Sequence, residues 1–252
     1  MTMAAPTLFE ALQAAAPGQF AYCRNRILAH APDDPGTTLI DGPALLDPVR
    51  FEAMLRPFVE KAPGADRRIV ISMWSLYYFS ALFIPATLGA LVLKRTMPLG
   101  LGETRIVFDT KAGTPKSFLV TGTGPVGTGD IHRRMRPVIE DHAAPVIDFL
   151  NAYAGVSPKL LWNNITPYVA WAIDEAASHV DPALRDEGYR LLDDARGADG
   201  AANPFFGLMN RTGLDGEGQR RRKVCCLRYL LPGVAYCGAL CPVPESRIQR
   251  QQ

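Results

Sequence analysis

Apolar positions along the chain divide it into a sparse start, a long uncharged middle and a series of helix-spaced runs. The first 46 residues are rich in Pro, Gly and Ala. They predict one short helix from Leu8 to Ala16, irregular chain, and a short strand from Thr37 to Ile40. Between Pro48 and Lys61 the residues Val49, Phe51, Met54, Leu55 and Val59 recur at helical spacing, and Asp47-Pro48 supplies an N-cap with proline in the first turn. The stretch from Ile69 to Leu93 has no charged residue and is flanked by Arg67, Arg68, Lys94 and Arg95. Its length alone would suit a membrane span. Ser72, Ser75 and Ser80 are polar, however, Pro85 and Gly89 disfavour one straight helix, and basic residues at both ends give no orientation. Two buried core helices meeting near Pro85 are expected, with membrane contact left open.

Two β-prone runs follow, Arg105 to Phe108 and Ser117 to Val120, separated by turn residues as in a hairpin. A glycine-rich loop, Gly122 to Asp130, leads into helical patterning. Val138, Ile139, Val146, Ile147 and Leu150 share one apolar face. Ser157-Pro158 is expected to cap a helix carrying Leu161, Ile165, Val169 and Ile173, and Asp181-Pro182 another with Leu184, Leu191 and Leu192. Residues 195–203 read as a loop, and the chain from Arg211 onward is basic, cysteine-rich and without helical period. The expected fold is α+β: a strand-bearing N-terminal part, a mainly helical body over 1–210, and a small C-terminal lobe over 211–252.

Composition narrows the function. Apolar residues make up 48% and charged residues 21%, a globular balance, and a net charge of +2 gives no reason to expect a nucleic-acid partner. The N-terminus has neither a basic n-region nor an apolar h-region, so a cytoplasmic protein is expected, with peripheral docking at the inner membrane left open. In a reducing compartment, clustered cysteines point to metal or redox chemistry rather than disulfides. Four of the five, Cys225, Cys226, Cys237 and Cys241, fall within 17 residues.

Their spacing is two adjacent cysteines, ten residues, a third, three residues, and a fourth. Four thiolates are the usual ligand set of a [2Fe–2S] or [4Fe–4S] cluster. Pro232-Gly233 lies midway and supplies a turn that can fold the two pairs together, and Pro242 fixes the exit. A Cys₄ zinc site uses pairs spaced by two to four residues, which suits Cys237 and Cys241 but not an adjacent pair. Adjacent side chains diverge and so suit two irons. Iron–sulfur leads, with zinc, or a vicinal thiol or disulfide without metal, as alternatives. Arg220, Arg221, Arg222, Lys223 and Arg228 surround the first pair; they would raise the potential of an anionic cluster and could attract an acidic partner or anionic chelate.

The run Arg222-Lys223-Val224-Cys225-Cys226-Leu227-Arg228-Tyr229-Leu230-Leu231-Pro232-Gly233, followed by a second pair and proline, resembles the FhuF-like ferric siderophore reductases. Ser157 to Ile173 resembles that family's Leu-Trp-x-Asn helix, and Ser72 to Val92 its uncharged helical stretch. One departure stands out: the family's second pair is spaced by two residues, here by three. The resemblance implies a [2Fe–2S] cluster on Cys225, Cys226, Cys237 and Cys241. It also implies a ferric siderophore substrate of hydroxamate type and an external electron donor. Hard oxygen donors hold Fe(III) far more tightly than Fe(II), so one electron releases the metal. A non-enzymatic electron carrier or sensor, and a relative of the siderophore synthetases, are the competing readings.

Other features carry less. Gly122-Thr123-Gly124-Pro125-Val126-Gly127 matches a dinucleotide fingerprint, but no strand completes a βαβ unit, so a flexible loop is expected. His30, His132, His142 and His179 show no ligand spacing; His132 with Arg133, Arg134 and Arg136 would either contact a chelate or lie on the surface. Trp74, Trp162 and Trp171 are expected in the core, Asn163 and Asn164 beside buried polar partners, and Cys23 as an inert thiol.

Overall fold

The computed structural model describes residues 6–120, 122–197, 199–210 and 220–249. Helix α1 (Leu8–Ala15) opens with a capping box in which Thr7 and Glu10 bond reciprocally. Strands β1 (Ile27–Leu28) and β2 (Thr37–Asp41) precede α2 (Pro48–Val59), where the Asp47 carboxylate accepts from the Val49 and Arg50 amides at 2.9 Å each.

Helix α3 (Arg67–Val92) runs 26 residues, or about 39 Å, without a break. The expected division at Pro85 is therefore corrected. An interior proline costs a helix about 3 kcal/mol. Trp74, Tyr78, Phe79 and Phe83 are all fully buried on α3, and burial of each large apolar side chain contributes about 1.5–3 kcal/mol. Packing on all sides thus outweighs the lost hydrogen bond. Gly89 serves contact rather than termination, since a Cβ there would stand 2.7 Å from the Met97 sulfur. Among the described residues α3 is the one helix long and apolar enough to cross a membrane, and most of it lies inside the protein.

Strands β3 (Arg105–Asp109) and β4 (Thr114–Leu119) form the expected hairpin. The sheet order is β1-β4-β3-β2, with β1 parallel to β4 and the other pairs antiparallel. The Trp74 indole N–H donates to the Gly113 carbonyl at 2.9 Å and ties α3 to the hairpin turn.

The glycine-rich loop is held rather than free. Thr96 donates to the Pro125 carbonyl at 3.1 Å and Gly127 to that of Lys94 at 2.7 Å. Beyond it, α4 (Ile131–Val138) passes through a π-helical turn (Ile139–Ala143) into α5 (Ala144–Ala154). That wide turn aims His142 inward. His132 and Arg134 are also buried rather than superficial, with His132 Nε2 3.2 Å from an Asp194 carboxylate oxygen.

Helix α6 (Pro158–His179) packs along α3, and α7 (Leu184–Asp193) packs on α6. Ser157 stands at the N-cap of α6 but its hydroxyl caps no amide; α7 starts after Ala183, with Asp181 accepting from the Ala183 amide at 2.9 Å in the preceding turn. Trp74 is in the core, Trp162 is partly buried, and Trp171 is 42% exposed, departing from expectation. The chain then adds β5 (Met209–Asn210), paired antiparallel with β6 (Arg221–Arg222), two 3₁₀ turns (Arg228–Leu230 and Gly238–Leu240) and the one-turn α8 (Glu245–Ile248). The mixed helical and sheet content is that of an α+β fold.

Candidate iron–sulfur site

Two adjacent asparagines on α6, both fully buried, grip the cysteine segment. Consecutive helical residues point about 100° apart, so the pair reaches two different partners. Asn163 Oδ1 accepts from the Val224 amide at 2.8 Å, and its Nδ2 donates to the Leu208 carbonyl at 3.0 Å. Asn164 Nδ2 donates to Ser72 Oγ at 3.2 Å and to Ser75 Oγ at 2.9 Å, while its Oδ1 accepts from Arg222 Nη1 at 2.7 Å. Ser72 Oγ in turn donates to the Cys226 carbonyl at 2.7 Å. Buried polar groups are tolerated only when paired, and these pairs fix the backbone on both sides of Cys225. The asparagines' role was legible as polar residues in an apolar helix; that of Ser72 was not.

The cysteine turn is shaped by Leu227, a non-glycine residue in the left-handed region (φ 64°), a conformation that costs on the order of 1–2 kcal/mol. The bend lets the Leu227 amide donate to Cys225 Sγ at 3.2 Å. The Arg228 amide likewise donates to the Cys226 sulfur. Leu231-Pro232-Gly233-Val234 then closes a β-turn, with Val234 N–H on the Leu231 carbonyl at 3.2 Å and Gly233 at φ 72°. Proline second and a positive-φ glycine third make the type II signature, as the sequence led one to expect. The extra residue of the second pair is taken up by the turn at Gly238–Leu240, where Gly238 is left-handed (φ 58°) and Cys241 donates to its carbonyl at 2.9 Å.

These turns bring the two pairs together. Cys226 is buried among Val70, Met73, Leu76 and Leu231, and Cys241 among Tyr229 and Ile248, with Cys237 bordering both groups and Cys225 the second. The Cys226 and Cys237 sulfurs are 3.9 Å apart. Two thiolates on one tetrahedral metal, each bonded at about 2.3 Å, stand about 3.8 Å apart. An adjacent pair such as Cys225 and Cys226 does not match the spaced pairs of a Cys₄ zinc site. Four soft sulfur donors in two pairs fit a two-iron cluster.

The electrostatics suit an anionic group held by cations. The Cys226–Cys237 hydrogen bond and the Arg222 and Arg228 guanidiniums hold the Cys226 thiol below the usual thiol range. Burial pushes Cys225 up to about 11, and the neighbouring sulfurs add to that. The hydrogen bond to Cys226, then burial, push Cys237 up. Four thiolates side by side therefore need positive charge, which metal ions supply. Cys23 lies apart, fully buried, its thiol raised to about 12 by desolvation.

The five cations differ. Arg220 makes a two-pronged ion pair with Asp193 at 2.7 and 2.8 Å and stacks on Tyr189. Arg221 and Arg228 are half-buried, Lys223 is exposed, and Arg222 is only 3% exposed. Tyr168, four residues after Asn164 on the same face of α6, joins this environment; burial raises its hydroxyl to about 12, and Arg222, Arg228 and Cys226 all lie within electrostatic reach. The i, i+4 relation to Asn164 was the available signal for it.

Comparison with known proteins covers the same segment. Residues 222–242 match the FhuF 2Fe–2S C-terminal domain, and the cofactor of this segment is a [2Fe–2S] cluster. A protein of Escherichia coli (strain K12) named ferric siderophore reductase is 24% identical over 182 residues, covering 69% of this chain and 65% of its own length. The chain thus spans somewhat less than two thirds of that relative. Residues 72–220 match the family described as ferric iron reductase FhuF-like transporter, which takes in α3, the hairpin, the π-turn, α6 and α7, and the chain belongs to that FhuF-like family.

Proposed function

We propose that the protein is a ferric siderophore reductase that passes one electron to chelated Fe(III) from a [2Fe–2S] cluster ligated by Cys225, Cys226, Cys237 and Cys241. The carrying observation is the convergence of the two cysteine pairs at a partly exposed edge, with the Cys226 and Cys237 sulfurs at 3.9 Å. When bound, the cluster supplies one-electron chemistry at a potential set by charge, hydrogen bonds and exposure. The Leu227 and Arg228 amides hold the sulfurs of the first pair, and Ser72, Asn163 and Asn164 hold the backbone that carries them.

Cys225 and Cys237 are half-buried, so a bulky chelate can receive an electron without entering a deep pocket. The Fe(III) centre gains one electron and becomes Fe(II), which hard oxygen donors hold weakly, and iron is released. A hydroxamate chelate is the favoured substrate. Lys223, Arg221 and Arg228 are the cations placed to meet an anionic chelate or acidic donor, since Arg220 is paired and Arg222 buried. An external protein or reductase reloads the cluster. The organisation is a body over 1–210 and a cluster segment over 211–252, of which 211–219 lie outside the described residues; the location is cytoplasmic, with docking at the inner membrane compatible but not required.

The test has two arms. Each cysteine is replaced by serine and the visible spectrum of anaerobically purified protein recorded; each variant should lose most of its cluster absorbance, and full retention in any one removes that residue from the ligand set. Reduced wild-type protein is then mixed with a ferric hydroxamate and a ferrous trap. One Fe(II) per protein should appear as the absorbance returns. Equally fast reoxidation by acceptors without iron, with no trapped Fe(II), would make the protein a carrier instead.

A further inference from the structure

Five cations stand near the first cysteine pair, but their surroundings give them different work. Arg220 is neutralised by Asp193 at 2.7 and 2.8 Å. Lys223 is exposed, where water and salt screen its charge. Arg222 is the exception. It is 3% exposed, it forms no ion pair among the described residues, and its Nε–H has no hydrogen-bond acceptor there; the Arg228 Nε–H is orphaned in the same way, but that side chain is only half-buried. Its Nη1 is fixed on the neutral Asn164 Oδ1 at 2.7 Å. A buried guanidinium facing only neutral partners is costly, and proteins keep such a charge when an opposite one answers it.

The same network ties the guanidinium to the cysteine turn. Asn164 also holds Ser72, and Ser72 Oγ holds the Cys226 carbonyl at 2.7 Å. The anchor of the guanidinium is thus the anchor of the cysteine turn. Tyr168, half-buried against the group around Cys226, lies within electrostatic reach of both Arg222 and Cys226.

We infer that Arg222 is the buried counter-charge of the cluster, held by Asn164, and that it sets the reduction potential by favouring the more negative reduced form. The inference rests on the four-cysteine reading above, but not on the identity of the electron acceptor. Arg222 acts through space on the cluster and is a positioning residue. The other cations contribute less, because one is paired and the others are in contact with solvent. In low dielectric a charge acts at greater strength than the same charge in water.

The experiment measures midpoint potentials of the full, cluster-loaded chain by optical titration. Arg222→Gln should lower the equilibrium constant for reduction about tenfold, which for one electron is about 59 mV. Arg222→Lys should recover most of that shift. Lys223→Gln, which removes the same charge at an exposed site, should move the potential much less, and raising the salt should not abolish the difference. Asn164→Asp sets a carboxylate against Arg222 without removing it, and should also lower the potential; it decides the matter if Arg222→Gln does not load. An unchanged potential in a fully loaded Arg222→Gln, or an equal shift in Lys223→Gln, would overturn the inference. Loss of the cluster in Arg222→Lys and Asn164→Asp alike would make Arg222 a folding residue and overturn it too. A wild-type spectrum that is not iron–sulfur would instead sink the four-cysteine reading.

Discussion

Single residues in this protein are decided by what they are buried against. His142 is fully buried, with Nδ1 donating to the Leu99 carbonyl and Nε2 accepting from the Tyr78 hydroxyl, each at 2.6 Å. The Phe118 ring packs edge-on beside it. Desolvation lowers its pKa to about 4 from 6.5, outweighing the Leu99 hydrogen bond, which raises it. A neutral folded imidazole must take up a proton on unfolding between about pH 6.5 and 4, so stability falls as pH is lowered through that window. Between pH 7 and pH 5 the loss from this residue should be about 2 kcal/mol. Urea unfolding of His142→Gln at the two pH values should show a correspondingly smaller difference than wild type; an equal difference would mean that other groups carry the acid sensitivity. Nothing local in the sequence separates the buried His142 from the exposed His179, or the buried Arg222 from the half-buried Arg221. How deeply a side chain is buried is settled by packing from elements far along the chain, whereas the cysteine spacing is local and was readable.

At the level of elements the same division holds. The hairpin, α1, α2 and the Pro232-Gly233 turn were legible because caps, alternation and turn residues act over a few positions. The continuity of α3 through Pro85 was not, because its stability comes from partners in α1, α5, α6, α7 and the sheet. Two-residue strands such as β1 carry too little pattern to be seen. The Gly122–Gly127 loop shows how a motif can have a purely structural cause. Gly124 is left-handed (φ 73°), and a Cβ there would lie 2.1 Å from the Thr96 carbonyl oxygen. Gly122 is also left-handed (φ 72°) but faces open space. Gly122→Ala should therefore cost about 1 kcal/mol for the backbone conformation alone. Gly124→Ala should cost at least about 2–3 kcal/mol, because a backbone oxygen cannot yield as a side chain can. Comparison of the two by denaturant unfolding checks this, and equal costs would mean that the close approach to Thr96 is not maintained.

Across the whole molecule, the cluster segment has little core of its own. Beyond β6 its buried contacts are Cys226 and Leu231 on α3, and Tyr229, Cys241 and Ile248 among themselves. A stretch of about 30 residues cannot bury enough apolar surface to stay folded unaided. It is fastened instead by the Asn163, Asn164 and Ser72 bonds at its entrance and, on the proposed ligation, by the bonds its sulfurs would make to metal. Metal bound only by the folded state adds its binding free energy to stability, and the gain falls on the segment that supplies the ligands. Removing iron anaerobically should therefore speed amide hydrogen exchange over 225–248 by more than about tenfold. Amides of α3 and α6, most of whose core contacts lie outside the segment, should keep most of their protection. Val224, bonded to Asn163 at 2.8 Å, marks the expected border between the two behaviours. A uniform rise in exchange through α3 would mean instead that the metal holds the whole fold, and that the helical body cannot stand without it.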